Sequence, residues 1–185
     1  MKRTFFAIKV SETTKQALQK MELAFPQLTE KIKIANSENP HITLKFLGDT
    51  SEEVFETVDT ALRQEMAQIS TFSFTCNGTG CFPKPSHPSV LWVGINKGLI
   101  NIEKIHRLIE QHLEKSGFEK EKKKFIPHLT FGRVKKELKR LDAIDAFLKY
   151  KFGPTENLVH EVIWFESLLT SWGAIHKPLR IYKLK

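Results

Sequence analysis

Two stretches of this sequence repeat one another around a histidine. Asn39-Pro-His-Ile-Thr-Leu-Lys-Phe-Leu-Gly48 returns as Ile126-Pro-His-Leu-Thr-Phe-Gly-Arg-Val134, and both read Pro-His-apolar-Thr-apolar. Imidazole titrates near neutrality, so at one pH one histidine can hold a proton while another lacks it. Placed across a substrate, His41 and His128 would supply a general base and a general acid to a single displacement. At a phosphodiester, one would deprotonate the attacking water and the other would protonate the departing oxygen. The hydroxyls of Thr43 and Thr130 would donate to the non-bridging phosphate oxygens as charge builds there. Neither motif contains Asp or Glu, so the paired histidines lack a carboxylate for a zinc site. The chemistry read here needs no metal and no cofactor.

The elements that must position these residues follow from the same pattern. On a strand successive side chains alternate in face, so each His shares a face with its Thr. Ile42, Leu44, Leu129 and Phe131 take the other face and can be buried. Around the first motif, Thr4 to Val10 reads as a strand, and Ser11-Glu-Thr-Thr offers N-caps. Ala17, Leu18, Met21, Ala24, Phe25 and Leu28 then fall at helical spacing, closing near Pro26 to Thr29. Ile32 and Ile34 mark a short strand. Asp49 to Glu53 caps a second helix through Val54, Val58, Ala61, Leu62 and Ile69. Phe72 and Phe74 open a β region, Cys81 to Pro88 is a proline-rich turn, and Val90 to Gly94 is an apolar strand. The order then restarts: Ile105, Leu108, Ile109, His112 and Leu113 form a helical stripe ended by Gly117. Leu138, Leu141, Ile144 and Leu148 spell another helix, and 158–169 and 178–184 read as closing strands.

One unit stated twice predicts an α+β fold of two antiparallel-sheet lobes with outer helices, related by a pseudo-twofold axis. The chain is then one bilobal domain, 1–185, with approximate repeats 1–92 and 93–185 and strands open to exchange between lobes. The two His-Thr faces would meet in a central groove.

Composition bounds the possibilities. The 185 residues hold 29 basic and 21 acidic side chains, a net charge of +8, which favours phosphate-bearing partners without requiring them. No apolar run nears the ~20 residues that cross a bilayer, and Lys9 interrupts the short apolar N-terminal stretch, so neither a membrane partner nor a signal peptide is expected. Cys76 and Cys81 are too few and wrongly spaced for a zinc framework and read as reduced thiols in a cytoplasmic protein.

The chain resembles the 2H phosphoesterases, specifically the LigT-like RNA 2′,3′-cyclic phosphodiesterases, also called 2′-5′ RNA ligases. The resemblance rests on both motifs, on Arg3-Thr-Phe-Phe-Ala-Ile8, and on Phe82-Pro-Lys-Pro-Ser-His-Pro-Ser-Val-Leu-Trp92, in that family's order over almost the full length. It implies a bilobal fold with both motifs in a central groove, and opening of a 2′,3′-cyclic phosphate at an RNA end to give a 2′-phosphate. The expected partners are RNA ends or nucleotides carrying a 2′,3′-cyclic phosphate, acted on by a monomer. By position, His41 would be the acid, His128 the base, and Thr43 and Thr130 the phosphate ligands. Phe46 and Arg133, each five residues after its His, would flank the terminal base. Gly132 stands where the family often has Ala, an exchange expected to be harmless. His176 stands where a Tyr is expected, and Ser86 and His87 replace frequent basic residues.

Other residues read more plainly. His106 is expected on the surface and His112 as a packing residue, while His87 and His160 show no evident partner. Lys120 to Lys124 is a solvated loop with a possible part in steering RNA. Trp92 and Trp164 read as core, and Trp172 as a loop residue near a ligand. The rival readings are a basic module that binds RNA ends without turnover, and the same chemistry on a 2′-5′ linkage or a tRNA-splicing by-product.

Overall fold

Among the described residues the elements follow in the order β1 (Lys2–Lys9), α1 (Glu12–Ala24), α2 (Pro26–Thr29), β2 (Ile32–Ile34), β3 (His41–Thr50), α3 (Glu52–Met66), β4 (Phe72–Lys84), β5 (His87–Lys97), α4 (Leu99–Lys115), β6 (Leu129–Val134), α5 (Asp142–Leu148), β7 (Thr155–Val159), β8 (Glu161–Thr170) and β9 (Gly173–Lys183). The computed structural model describes residues 1–35, 38–135, 142–170 and 173–185. Leu138, Leu141 and Trp172 lie outside these described residues.

Local chemistry explains the boundaries. The Ser11 hydroxyl accepts the Thr14 N–H at 3.3 Å and caps α1, which buries Leu18 and Met21. The expected single helix is two, because the residue before a proline is disfavoured in the α region. Phe25 turns out at φ −127° and Pro26 starts α2 afresh. On α3 the buried stripe is Phe55, Val58, Leu62 and Met66, so Ile69 is buried beyond the helix rather than on it. The expected turn from Cys81 to Pro88 is mostly strand, with β4 running to Lys84 and β5 starting at His87.

All strands join one antiparallel sheet ordered β7-β4-β5-β6-β3-β1-β8-β9, with β2 beside β6. The run read as one strand over 158–169 breaks at His160, and its two parts pair with opposite regions of the sheet. β7 pairs with β4, and β8 with β1. A flat sheet would separate them by six strand spacings of ~4.8 Å, yet one residue joins them. The sheet is therefore curled. Each side of the β3–β6 junction draws strands from both halves of the chain: β3, β1, β8 and β9 on one side, β6, β5, β4 and β7 on the other. Helices are distributed likewise, with α1 against β7, α5 against β4, α4 against β3 and α3 against β9.

The main core lies between this sheet and the helices and includes Phe6, Ile8, Ile42, Leu91, Val93, Leu129 and Trp164. The alternate residues of β1, Phe5 and Ala7, join Ile163 and Phe165 in a second buried cluster. Alternation puts that cluster on the other sheet face, the face bearing the histidines.

Candidate active site

β3 and β6 touch through a single residue pair, Ile42 with Leu129. Both are buried, which turns His41, Thr43, His128 and Thr130 to the opposite face. Continuing the antiparallel register by one residue sets His41 beside Thr130 and Thr43 beside His128. The histidines are then diagonal neighbours, a relation that spans ~7–8 Å in a regular ladder. β6 begins at Leu129, so His128 stands just ahead of its strand. His41 Nδ1 lies 2.9 Å from the Asn39 carbonyl oxygen, and His128 Nδ1 lies 2.7 Å from that of Ile126. A carbonyl only accepts, so Nδ1 is the donor in each ring and Nε2 is the nitrogen left for proton transfer.

Strict alternation would put Phe46 and Arg133, five residues on, with the core rather than with the histidines. The structure reverses this with a matched pair of irregularities. β1 pairs Phe6 with Lys45 but Ala7 with Thr43, and β5 pairs Leu91 with Gly132 but Trp92 with Thr130. One extra residue, Leu44 or Phe131, enters each strand at the same distance from its His. A bulge shifts the phase of the side chains. Residues 41–46 and 128–133 accordingly share one burial sequence: half-buried, buried, half-buried, buried, buried, exposed. Phe46 emerges beside the site, 54% exposed, with its ring 5.4 Å from that of Phe5. The structure thus gathers His41, Thr43, Phe46, His128, Thr130 and Arg133 on one face.

The surroundings of the two histidines differ. His41 packs against Phe5 and His176 at ring-centre distances of 5.2 Å each. His176, on β9, meets Phe5 edge-on at 4.8 Å. Its place against His41 could not be read from sequence, where it carries no motif of its own. His128 packs edge-on against Phe82 at 5.0 Å, with Trp92 at 6.4 Å. Trp92 was expected in the core with Trp164. Trp164 is fully buried there, but in β5 the core positions go to Leu91 and Val93, and Trp92 takes the site face. Its indole lies over Gly80, where a Cβ would fall 2.2 Å from Cη2. Gly80→Ala is therefore expected to unseat Trp92 and destabilise by about 1–3 kcal/mol, the usual cost of overpacking. Thermal denaturation tests this, and an unchanged Tm would mean the indole is free to move. At Gly132 a Cβ would lie 2.7 Å from Ile32 Cδ1 and 3.1 Å from the Lys33 carbonyl oxygen. Ala there would require the end of the Ile32 side chain to shift.

Burial lowers the pKa of both site histidines, each offset in part by the carbonyl that its Nδ1 meets. For His128 the Arg133 charge lowers it further. Burial and the neighbouring His41 bring His176 down to about 4.

Beneath β3, on the core side, Lys45 is paired with Glu110 of α4 at 2.5 Å and stands 3.8 Å from Glu121. His106, expected on the surface, is instead stacked on Phe125 at 3.9 Å, with its side chain 12% exposed. Among the described residues, His106, Glu110 and Glu121 are the group whose spacing could hold a metal ion, but the Lys45 ammonium already supplies a cation to it. His112 packs as expected and meets Glu65 at 2.8 Å. His87 has Ser86 Oγ at 3.3 Å and His160 has Glu161 at 3.9 Å. Lys120 and Lys122 to Lys124 are exposed in the irregular segment that leads to His128.

This geometry can be set beside known proteins. The model of the 2′-5′ RNA ligase superfamily matches residues 10–165. The chain belongs to the 2′-5′ RNA ligase superfamily. Among its relatives is the RNA 2′,3′-cyclic phosphodiesterase of Archaeoglobus fulgidus, 32% identical over 184 residues that cover 98% of this chain and 99% of the relative. The enzyme of the same name from Methanocaldococcus jannaschii is 32% identical, covering 96% and 98%. A crystal structure of a Thermus thermophilus protein superposes with a TM-score of 0.83 at 21% identity, covering 98% and 97% of the two chains. LigT of Escherichia coli complexed with 3′-AMP gives 0.81 at 20% identity, covering 100% and 98%. The superfamily resemblance read from the motifs and the α+β fold read from the repeated order of elements are both borne out.

Proposed function

We propose that this chain hydrolyses 2′,3′-cyclic phosphates at RNA ends or on nucleotides to 2′-phosphates, with His41 and His128 as the acid–base pair. The observation that carries the proposal is the matched placement of the two histidines. Both have Nδ1 engaged by the carbonyl two residues back, and both precede the same strand irregularity. His128 Nε2 takes a proton from water, and the water oxygen bonds to phosphorus. The bond from phosphorus to O3′ breaks as protonated His41 Nε2 gives its proton to O3′, and solvent exchange resets both rings. Thr43 and Thr130 donate to the non-bridging oxygens. Phe46 and Arg133 flank the terminal base. The Arg133 charge opposes protonation of His128, which favours His128 as the base. No step is assigned to a metal.

Both motifs meet within one chain, which supports action as a monomer. The cytoplasm is the proposed compartment. Cys76 and Cys81 are unpaired, which fits a reducing environment, and among the described residues no helix is long and apolar enough to cross a membrane.

The test is incubation of EDTA-treated protein with adenosine 2′,3′-cyclic monophosphate and with an RNA oligomer ending in a cyclic phosphate. Appearance of the 2′-phosphate is expected. No turnover of either would leave the reading of an RNA-end-binding module.

The pH profile carries its own prediction. Activity needs a neutral base and a protonated acid, and kcat/KM reports both groups in the free enzyme. Both pKa values are lowered from 6.5, so both limbs of the bell move to acid and its maximum lies below pH 6.5. A bound phosphate anion favours the charged imidazoles, so the kcat profile should lie to the alkaline side of the kcat/KM profile. Coincident profiles centred above pH 6.5 would contradict this.

A further inference from the structure

β2 adds to β6 a feature that β3 does not share. Its three residues pair with the end of β6, and Lys33 is directly opposite Arg133. Directly paired residues of antiparallel strands share a face, with Cβ atoms ~4.5–5.5 Å apart. Ile32 is buried toward the core while Lys33 is exposed, which places Lys33 on the site face with Arg133. Like charges directly opposite each other destabilise a sheet. Among the described residues, nevertheless, neither cation has an acidic group within ion-pair distance. On the other side of Arg133 lies Val90, which offers no charge. Arg133 is close enough for its charge to act on His128. Two unneutralised cations therefore stand side by side ~10 Å along the strand from Thr130, at the edge of the site.

We infer that Lys33 and Arg133 form a second anion subsite, which takes the phosphodiester adjoining the terminal nucleotide and selects RNA ends over cyclic mononucleotides. This rests on the proposed function, since the reacting phosphate fixes where the next one falls. RNA presents one further negative charge per nucleotide, which answers the repulsion between the paired cations. Lys33 supplies a point charge and Arg133 a planar fork. The guanidinium can stack its face on a base while its edge donates to phosphate, so its two parts are compatible.

The experiment uses product-like ligands that bind without turnover: adenosine 2′-phosphate, adenosine 2′,5′-bisphosphate, and adenylyl-adenosine ending in a 2′-phosphate. Calorimetric Kd values are taken for the wild type, Lys33→Glu and Lys33→Arg. The bisphosphate and the dinucleotide are expected to bind the wild type about ten-fold or more tighter than the monophosphate, a charged hydrogen bond's worth. Lys33→Glu should collapse that ratio and Lys33→Arg retain it. The slope of log Kd against log salt for the dinucleotide should fall by ~0.7 in Lys33→Glu, as for one lost contact to single-stranded phosphate. Equal wild-type affinity for all three ligands, or a ratio unchanged in Lys33→Glu, overturns the subsite. A wild type that prefers the longer ligands but turns over no cyclic phosphate keeps the subsite and removes the hydrolase reading instead.

Discussion

Converting His41 or His128 to Asn is expected to lower kcat by about 10²–10⁴-fold in each case, the usual contribution of a positioned acid or base. Asn is the informative replacement. Its side-chain amide can still donate to the Asn39 or Ile126 carbonyl that Nδ1 now meets, but it has nothing in place of Nε2. The fold and the approach of each strand are thereby kept while the proton carrier is lost. On the proposed mechanism both groups act in one displacement, so the double variant should lose less than the product of the two single losses. The pH profiles then separate the roles: loss of the base removes the acid limb and loss of the acid removes the basic limb. If His128 is the base, as the nearby Arg133 favours, His128→Asn loses the acid limb. A variant within ten-fold of wild type that retains both limbs would take that histidine out of the chemistry.

How far the site could be read from sequence depends on which rule each residue obeys. His41, Thr43, His128 and Thr130 were legible because they lie before the irregularities, where alternation holds and Ile42 and Leu129 mark the buried face. Phe46 and Arg133 were legible only through the repeat and the resemblance, since alternation alone places them on the wrong face. The shift at Leu44 and Phe131 comes from register with β1 and β5, strands distant in sequence. Trp92 sits in Val-Leu-Trp-Val, where apolar residues occupy both phases, so periodicity does not say which side is core. The break at Pro26 was legible in principle, but the apolar spacing through Leu28 masked it. His106 and His176 needed tertiary neighbours: Phe125 for one, and His41 with Phe5 for the other. The curl of the sheet depends on His160 dividing one apolar run between two distant pairings, and composition does not mark that residue as a boundary.

The same irregularity that brings Phe46 to the site turns Lys45 inward, and the second large effect follows from that. Its ammonium and the Glu110 carboxylate are buried together, with side chains 8% and 9% exposed. Burial is the largest single influence and would raise the Glu110 pKa, but the Lys45 hydrogen bond and charge, the Glu121 N–H and His106 together outweigh it and hold the carboxyl below its usual value. The pair's stabilisation is therefore present above the unfolded carboxyl pKa and lost as pH falls through the lower folded one. Removing one partner leaves a buried charge without compensation, so Lys45→Met or Glu110→Leu should each cost about 3–5 kcal/mol in denaturant unfolding. Replacing both with apolar residues should restore most of that, because desolvation of the pair offsets its attraction. Activity should not recover with stability. Glu110 Oε2 also accepts the Glu121 N–H at 3.2 Å, and Glu121 lies in the segment that delivers His128. Leu at 110 cannot hold it, and a displacement of ~1 Å at a reacting group can cost up to about 10²-fold. A double variant that regains both stability and full kcat/KM would show that the pair serves the core alone; one that regains only stability would make Glu110 a positioning residue for His128.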